Sequence, residues 1–179
     1  MNDGASLALG QRSGLGGLPQ RLVQDGVVEE SAMLTALQAA KDRKSSFVTQ
    51  LISAGAAKAR DIAIAASTEF GVPLYDLDSH QVDLDVIKLV QDKLLQKHRC
   101  LPLYRRGKRL FLAVADPTNL HASDEIKFAT GLGIEAIVVE DDKLQKLIDK
   151  ASEQAEAAMP QLTEDETGFD LENLDTLQQ

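Results

Sequence analysis

The chain has 179 residues, 44% hydrophobic but only 4% aromatic and without tryptophan, so its core must be built from Leu, Ile, Val and Ala. A formal charge of −9, from 28 acidic and 19 basic side chains, argues against nucleic acid as a partner. A single cysteine, Cys100, excludes an internal disulfide or a thiolate metal cage and fits a reducing, cytoplasmic setting; no apolar run approaches the roughly 18 residues of a membrane span.

Residues 1–17 are rich in Gly and small polar side chains and read as a flexible arm, with no basic region that would make a signal peptide. Residues 18–75 read as a helical subdomain containing an internal repeat. "LVQDGVVEESAMLTALQAA" starts at Leu22 and "LISAGAAKARDIAIAASTE" at Leu51, an offset of 29 residues that matches Gly26 to Gly55 and Met33 to Ile62. Each unit reads as a helix end, a glycine turn and a second helix, with the apolar stripes of the two units packed together.

Residues 76–158 change character. A helix is predicted over Leu84 to Lys97. "LPLYR" and "RLFLAVA" follow, joined by a short Gly107-containing connection that predicts a β-hairpin. Arg105, Arg106, Lys108 and Arg109 crowd that turn; they suit a solvated sheet edge or a docking patch. A helix from Leu120 to Thr130 ends at Gly131, "IEAIVVE" adds a strand, and another helix starts near Asp141. The expected fold is α+β: a helical αα repeat followed by a small α/β sandwich with a three- or four-stranded sheet. Residues 159–179 carry six acidic side chains and no basic ones, and read as an acidic, disordered linker.

The residues assemble no catalytic constellation. His80, His98 and His121 lack metal-ligand spacing, so no metal site and no cofactor site is expected. Cys100 lies at the start of an apolar strand and reads as buried and inert. There is no GxxxxGK[ST] phosphate loop and no GxSxG elbow. Glu29 and Glu30 suit a helix start rather than acid–base chemistry. Asp116, in "FLAVADPTN", ends a strand ahead of Pro117 and reads as an Asx-type turn, with Thr118 or Asn119 capping the next helix.

"EFGVPLYDLDSHQVD", "LPLYRRGKRLFLAVADPTN" and "SDEIKFATGLGIEAIVV" together resemble the N-terminal domain of the PilB type IV pilus assembly ATPases and their type II secretion relatives, over roughly residues 18–150. The resemblance implies a non-catalytic regulatory domain of a hexameric cytoplasmic motor at the inner-membrane face of the pilus machine. ATP and Mg would belong to a separate motor module, because Walker motifs do not occur in this sequence. Some family members bind cyclic di-GMP through a tandem Arg-Leu-Gly motif. Here Gly17, Leu18 and Pro19 stand in the first copy, and Ser46, Phe47 and Val48 in the second, so both arginines and their guanidinium forks are absent. The expectation drawn is that the domain docks a PilZ-type adaptor, which relays the signal from a separate cyclic di-GMP receptor. The alternatives are direct cyclic di-GMP binding, or a type II secretion domain docking its membrane platform. The surfaces offered to a partner are the basic hairpin, Tyr104, Arg105, Arg106, Lys108 and Arg109, or an apolar helical edge at Leu18, Leu22 and Val23.

Overall fold

A computed structural model describes residues 14–158. The arm expected over 1–17 lies outside the described residues up to residue 13, and the linker expected over 159–179 lies outside them entirely.

Four helices form two copies of one hairpin: α1 (Gly17–Gln24) with α2 (Glu30–Arg43), and α3 (Phe47–Ser53) with α4 (Ala59–Phe70). The repeat extends to individual backbone hydrogen bonds. Asp25 and Ala54 donate to Arg21 and Gln50, Gly26 and Gly55 to Val23 and Ile52, and Val27 and Ala56 to Leu22 and Leu51, all at 2.9–3.1 Å. Gly26 and Gly55 take φ of 70° and 69°, a left-handed conformation in which a side chain carries a steric penalty that glycine avoids. Leu18, Leu22, Met33, Val48, Leu51 and Ile62 close a core between the two copies.

After a 3-10 turn at Leu77–Ser79, the helix expected over Leu84 to Lys97 is split into α5 (Leu84–Ile87) and α6 (Asp92–His98). Asp83 caps α5 by accepting from the Asp85 and Val86 backbones, and Gln91 is extended at ψ 136°. Ile87, Val90 and Leu95 all enter the same core, and the break between the helices lets Val90 do so.

Strands β1 (Leu101–Arg106), β2 (Arg109–Val114) and β3 (Gly133–Val138) form a sheet in that order, with α7 (Leu120–Thr130) crossing between β2 and β3. β1 and β2 are antiparallel, and Gly107 opens their two-residue loop with φ 59°, the Gly-first pattern that matches strand twist. β2 and β3 are parallel, from Arg109 opposite Gly133 to Val114 opposite Val138. The long helix α8 (Asp141–Ala158) then packs back across the sheet. Lys143 on α8 is within 3.1 Å of carboxylates from Asp76, Asp78 and Glu140, which pins the 3-10 turn to the helix. The architecture is the expected α+β one, with a three-stranded sheet.

A second core, built from Leu77, Leu95, Leu101, Leu110, Leu112, Ile126, Leu144 and Ile148 among others, fills the sheet–helix side. Ala115 and Val138, at the ends of the sheet, belong instead to the helical core, and Pro73 and Tyr75 pair with Val138 through backbone bonds of 2.9 Å. The two cores therefore meet where the strands end. Leu112 is fully buried in the sheet core. Leu112→Ala is expected to lower unfolding free energy by about 2–5 kcal/mol, measured by urea denaturation.

Candidate functional site

The meeting line of the two cores leaves a cavity of about 540 Å³. The end of α2 and start of α3 form one wall, through Lys41, Lys44, Ser46 and Phe47. The α6–β1 corner, the loop after β2 and the start of α8 form the other, through Arg99, Asp116, Thr118 and Asp141. Each position follows from local chemistry. Ser46 caps α3 by accepting from the Val48 backbone at 3.2 Å. Asp116 closes the Asx turn expected of it: its Oδ1 accepts from the Thr118 backbone at 2.9 Å and from the Thr118 hydroxyl. Asn119 caps α7 by accepting from the Ala122 backbone.

Asp141 is the one buried charged side chain among the described residues, 3% exposed. Arg99 grips it with two charge-assisted bonds, Nε to Oδ1 at 2.6 Å and Nη2 to Oδ2 at 2.8 Å, and Thr49 of α3 donates from 3.5 Å. Burial pushes the Asp141 carboxyl above its ordinary range, while the Arg99 guanidinium pulls it back. Beside this pair, Lys97 and His98 both contact Glu125. Hydrogen bonds from Lys97 first, and then from His98, hold Glu125 below the usual carboxylate range.

The expected partner surfaces lie elsewhere. Leu18 and Leu22 are fully buried in the helical core and Val23 packs against it, so Leu18 and Leu22 offer no accessible edge; packing between the repeat copies uses them up. Tyr104, Arg105, Arg106, Lys108 and Arg109 are exposed at the hairpin end. There Tyr104 stacks on Phe111 at 4.4 Å, Arg105 donates to the Gly107 carbonyl, and Arg109 pairs with Glu135. The cavity is not part of that patch. Lys41, Lys44, Arg99 and Asp141 carry no motif; Lys44 and Arg99 stand out only in the fold, as left-handed caps where α4 and α7 use Gly71 and Gly131.

Among the described residues, no group of three or more His, Cys, Asp or Glu side chains is placed to hold a metal, and no helix is long and apolar enough to cross a membrane. Cys100 is fully buried.

A family model of the MshEN domain matches residues 70–158. Type IV pilus assembly ATPases PilB are similar along most of the chain. The one from Pseudomonas aeruginosa is 37% identical over 90% of this chain and 28% of its own length. The one from Acinetobacter baylyi is 40% identical over 74% of this chain and 23% of its own length. The chain thus spans about a quarter of the length of these curated relatives, and it corresponds to their N-terminal, non-catalytic portion. Among solved structures, MshE with cdg superposes with a TM-score of 0.57 at 25% identity, covering 76% of this chain and 99% of that one. The N-terminal domain of XpsE shares the fold, with a TM-score of 0.60 at 22% identity over 76% of this chain and 96% of that one. The chain belongs to the MshEN-like N-terminal domains of the PilB/GspE family of type IV pilus and type II secretion ATPases.

Two outcomes test the local chemistry. Burial pushes the Cys100 thiol up to about 12, so the folded protein is expected to resist iodoacetamide near neutral pH and to react only on unfolding, as read by mass spectrometry. Because the folded Glu125 value is depressed, its contribution is present above the unfolded value of about 4.3 and is lost as pH falls through the folded one. Melting curves of the wild type and Glu125→Gln should therefore differ at pH 6 and converge toward pH 3; a constant gap would contradict the assignment.

Proposed function

We propose that this chain is a regulatory domain that binds cyclic di-GMP directly, in the cavity between its two cores. This corrects the expectation that it docks a PilZ-type adaptor. The comparison that overturns that expectation is MshE, a similar domain solved with cdg, which matches over nearly its whole length. That likeness is the observation that carries the reading.

The geometry supports it. The two positions where the resemblance places the motif arginines, residues 17 and 46, lie beside one cavity although they belong to different repeat copies. Ser46 lines it, and a Cβ at Gly17 would point to within 3.9 Å of Thr118 Cγ2, itself in the wall. The cavity volume of about 540 Å³ falls within the roughly 300–1,000 Å³ of small-molecule sites. Phe47, Leu37 and Ala40 supply apolar wall for a flat base. Asp116 supplies an acceptor: Oδ1 is held by Thr118, while Oδ2 has no hydrogen-bond partner among the described residues and suits the N1–H and N2–H donors of guanine.

On a division into a helical unit, 18–75, and an α+β unit, 76–158, a ligand in the cavity would touch both. In a full-length ATPase of this family, such bridging would set how the domain is presented to the motor. Isothermal titration of the purified chain with cyclic di-GMP, and with cyclic di-AMP as control, tests the reading. Saturable micromolar binding of the guanine dinucleotide alone is expected, weakened at least tenfold by Asp116→Ala. Absence of heat and of any melting shift at millimolar ligand would reject it.

A further inference from the structure

Two residues other than glycine, Lys44 and Arg99, hold positive φ among the described residues, at 50° and 48°. Each closes a helix: Lys44 is the left-handed cap of α2, and Arg99 that of α6. The other left-handed positions, Gly71 and Gly131 at helix ends among them, are glycines. A side chain in this conformation carries a steric penalty that glycine avoids, so a residue kept there has a reason lying outside the backbone. Lys44 and Arg99 come from different units of the fold, both are cations, and both line the same cavity.

Lys41, one turn before Lys44 on α2, lines it too. The cavity's charges do not cancel. Lys97 is matched by Glu125 and Arg99 by Asp141. Lys41 and Lys44 are exposed and have no ion-pair partner among the described residues, and Asp116 is the remaining acid in the wall. Two unmatched cations against one carboxylate leave a local excess of positive charge on a chain of formal charge −9. Arg99 uses two of its five N–H donors on Asp141, which fixes the plane of the guanidinium and leaves donors for a second acceptor.

We infer that Lys41, Lys44 and Arg99 form the phosphate-binding rim of this cavity, and that Lys44 and Arg99 keep left-handed backbones because only from those helix ends do their charges reach it. The rim would hold the phosphates of a dinucleotide, supplying from residues 41, 44 and 99 the charge that Gly17 and Ser46 do not bring. The inference rests on the proposed cyclic di-GMP reading for the identity of the ligand, but not for the chemistry of the rim.

Lys44→Gly gives a direct test, because it relieves the backbone and removes the charge in one change. Its melting temperature should equal or exceed that of the wild type, while the dissociation constant for cyclic di-GMP, by calorimetry, rises at least tenfold. Lys41→Gln, at an exposed position, should weaken binding similarly with no change in melting. Inorganic pyrophosphate is titrated in parallel as a phosphate probe without guanine. Wild-type binding of cyclic di-GMP that both variants leave unchanged would overturn the rim and leave the nucleotide reading standing. Binding of pyrophosphate that both variants weaken, without any binding of cyclic di-GMP, would uphold the rim and overturn that reading. A wild-type chain that binds neither would overturn both.

Discussion

Asp141 stands at the junction of the two units, held by Arg99 within the α+β unit and contacted by Thr49 from the helical one. A carboxylate only 3% exposed cannot remain charged without a partner, and an unpaired buried charge costs about 3–5 kcal/mol. Arg99 reaches Asp141 in a bidentate manner from the corner between α6 and β1, where the backbone turns left-handed. Thr49 contributes from α3, so one carboxylate gathers the start of α8, the entrance to the sheet and the second repeat copy. Apolar contact accompanies it, since Val138 at the end of β3 and Ala115 just past β2 complete the helical core. The cavity exists because these polar and apolar ties hold the units in contact along part of the line where they meet and leave the rest open.

Much of this fold was legible in the sequence where a local rule decides the geometry. The hairpin at Gly107, the helix from Leu120 to Thr130 with its Asn119 cap, and the turn at Asp116 all depend on residues within a few positions of one another. The repeat was legible because Gly26 and Gly55 mark the same left-handed turn 29 residues apart. What was not legible depended on contacts distant in sequence. The break between α5 and α6 has no Gly or Pro to announce it; the need to bury Val90 decides it. Leu18 and Leu22 could be read as either core or edge, and only the packing of α1 against α4 places them inside.

The site illustrates a different limit. Reading the tandem motif position by position registers two missing arginines and counts them against nucleotide recognition. A ligand meets charge in space, not at a sequence index, and helix ends are places where a long cation can be redirected with a single backbone turn. Lys44 and Arg99 sit at such ends, far apart in the chain and on facing walls of one cavity in the fold. A left-handed cap that is not a glycine shows only in the backbone, and it acquires meaning when a second one is found facing the same space.

The location of the cavity also constrains how a bound molecule could act. A ligand enclosed within one core would stabilise that core alone. One held between α2–α3 and the α6–β1 corner touches both units, so its binding free energy adds to whatever favours their present contact. It can shift their relative placement only to the extent that it binds one arrangement better than another. Arg99 supplies a physical basis for such a difference: its guanidinium is shared between Asp141, which Thr49 contacts from the helical unit, and the space the ligand would occupy. Negative charge arriving there would draw on the remaining donors of the same cation, and occupancy of the cavity would thereby be coupled to the Arg99–Asp141 bonds beside it.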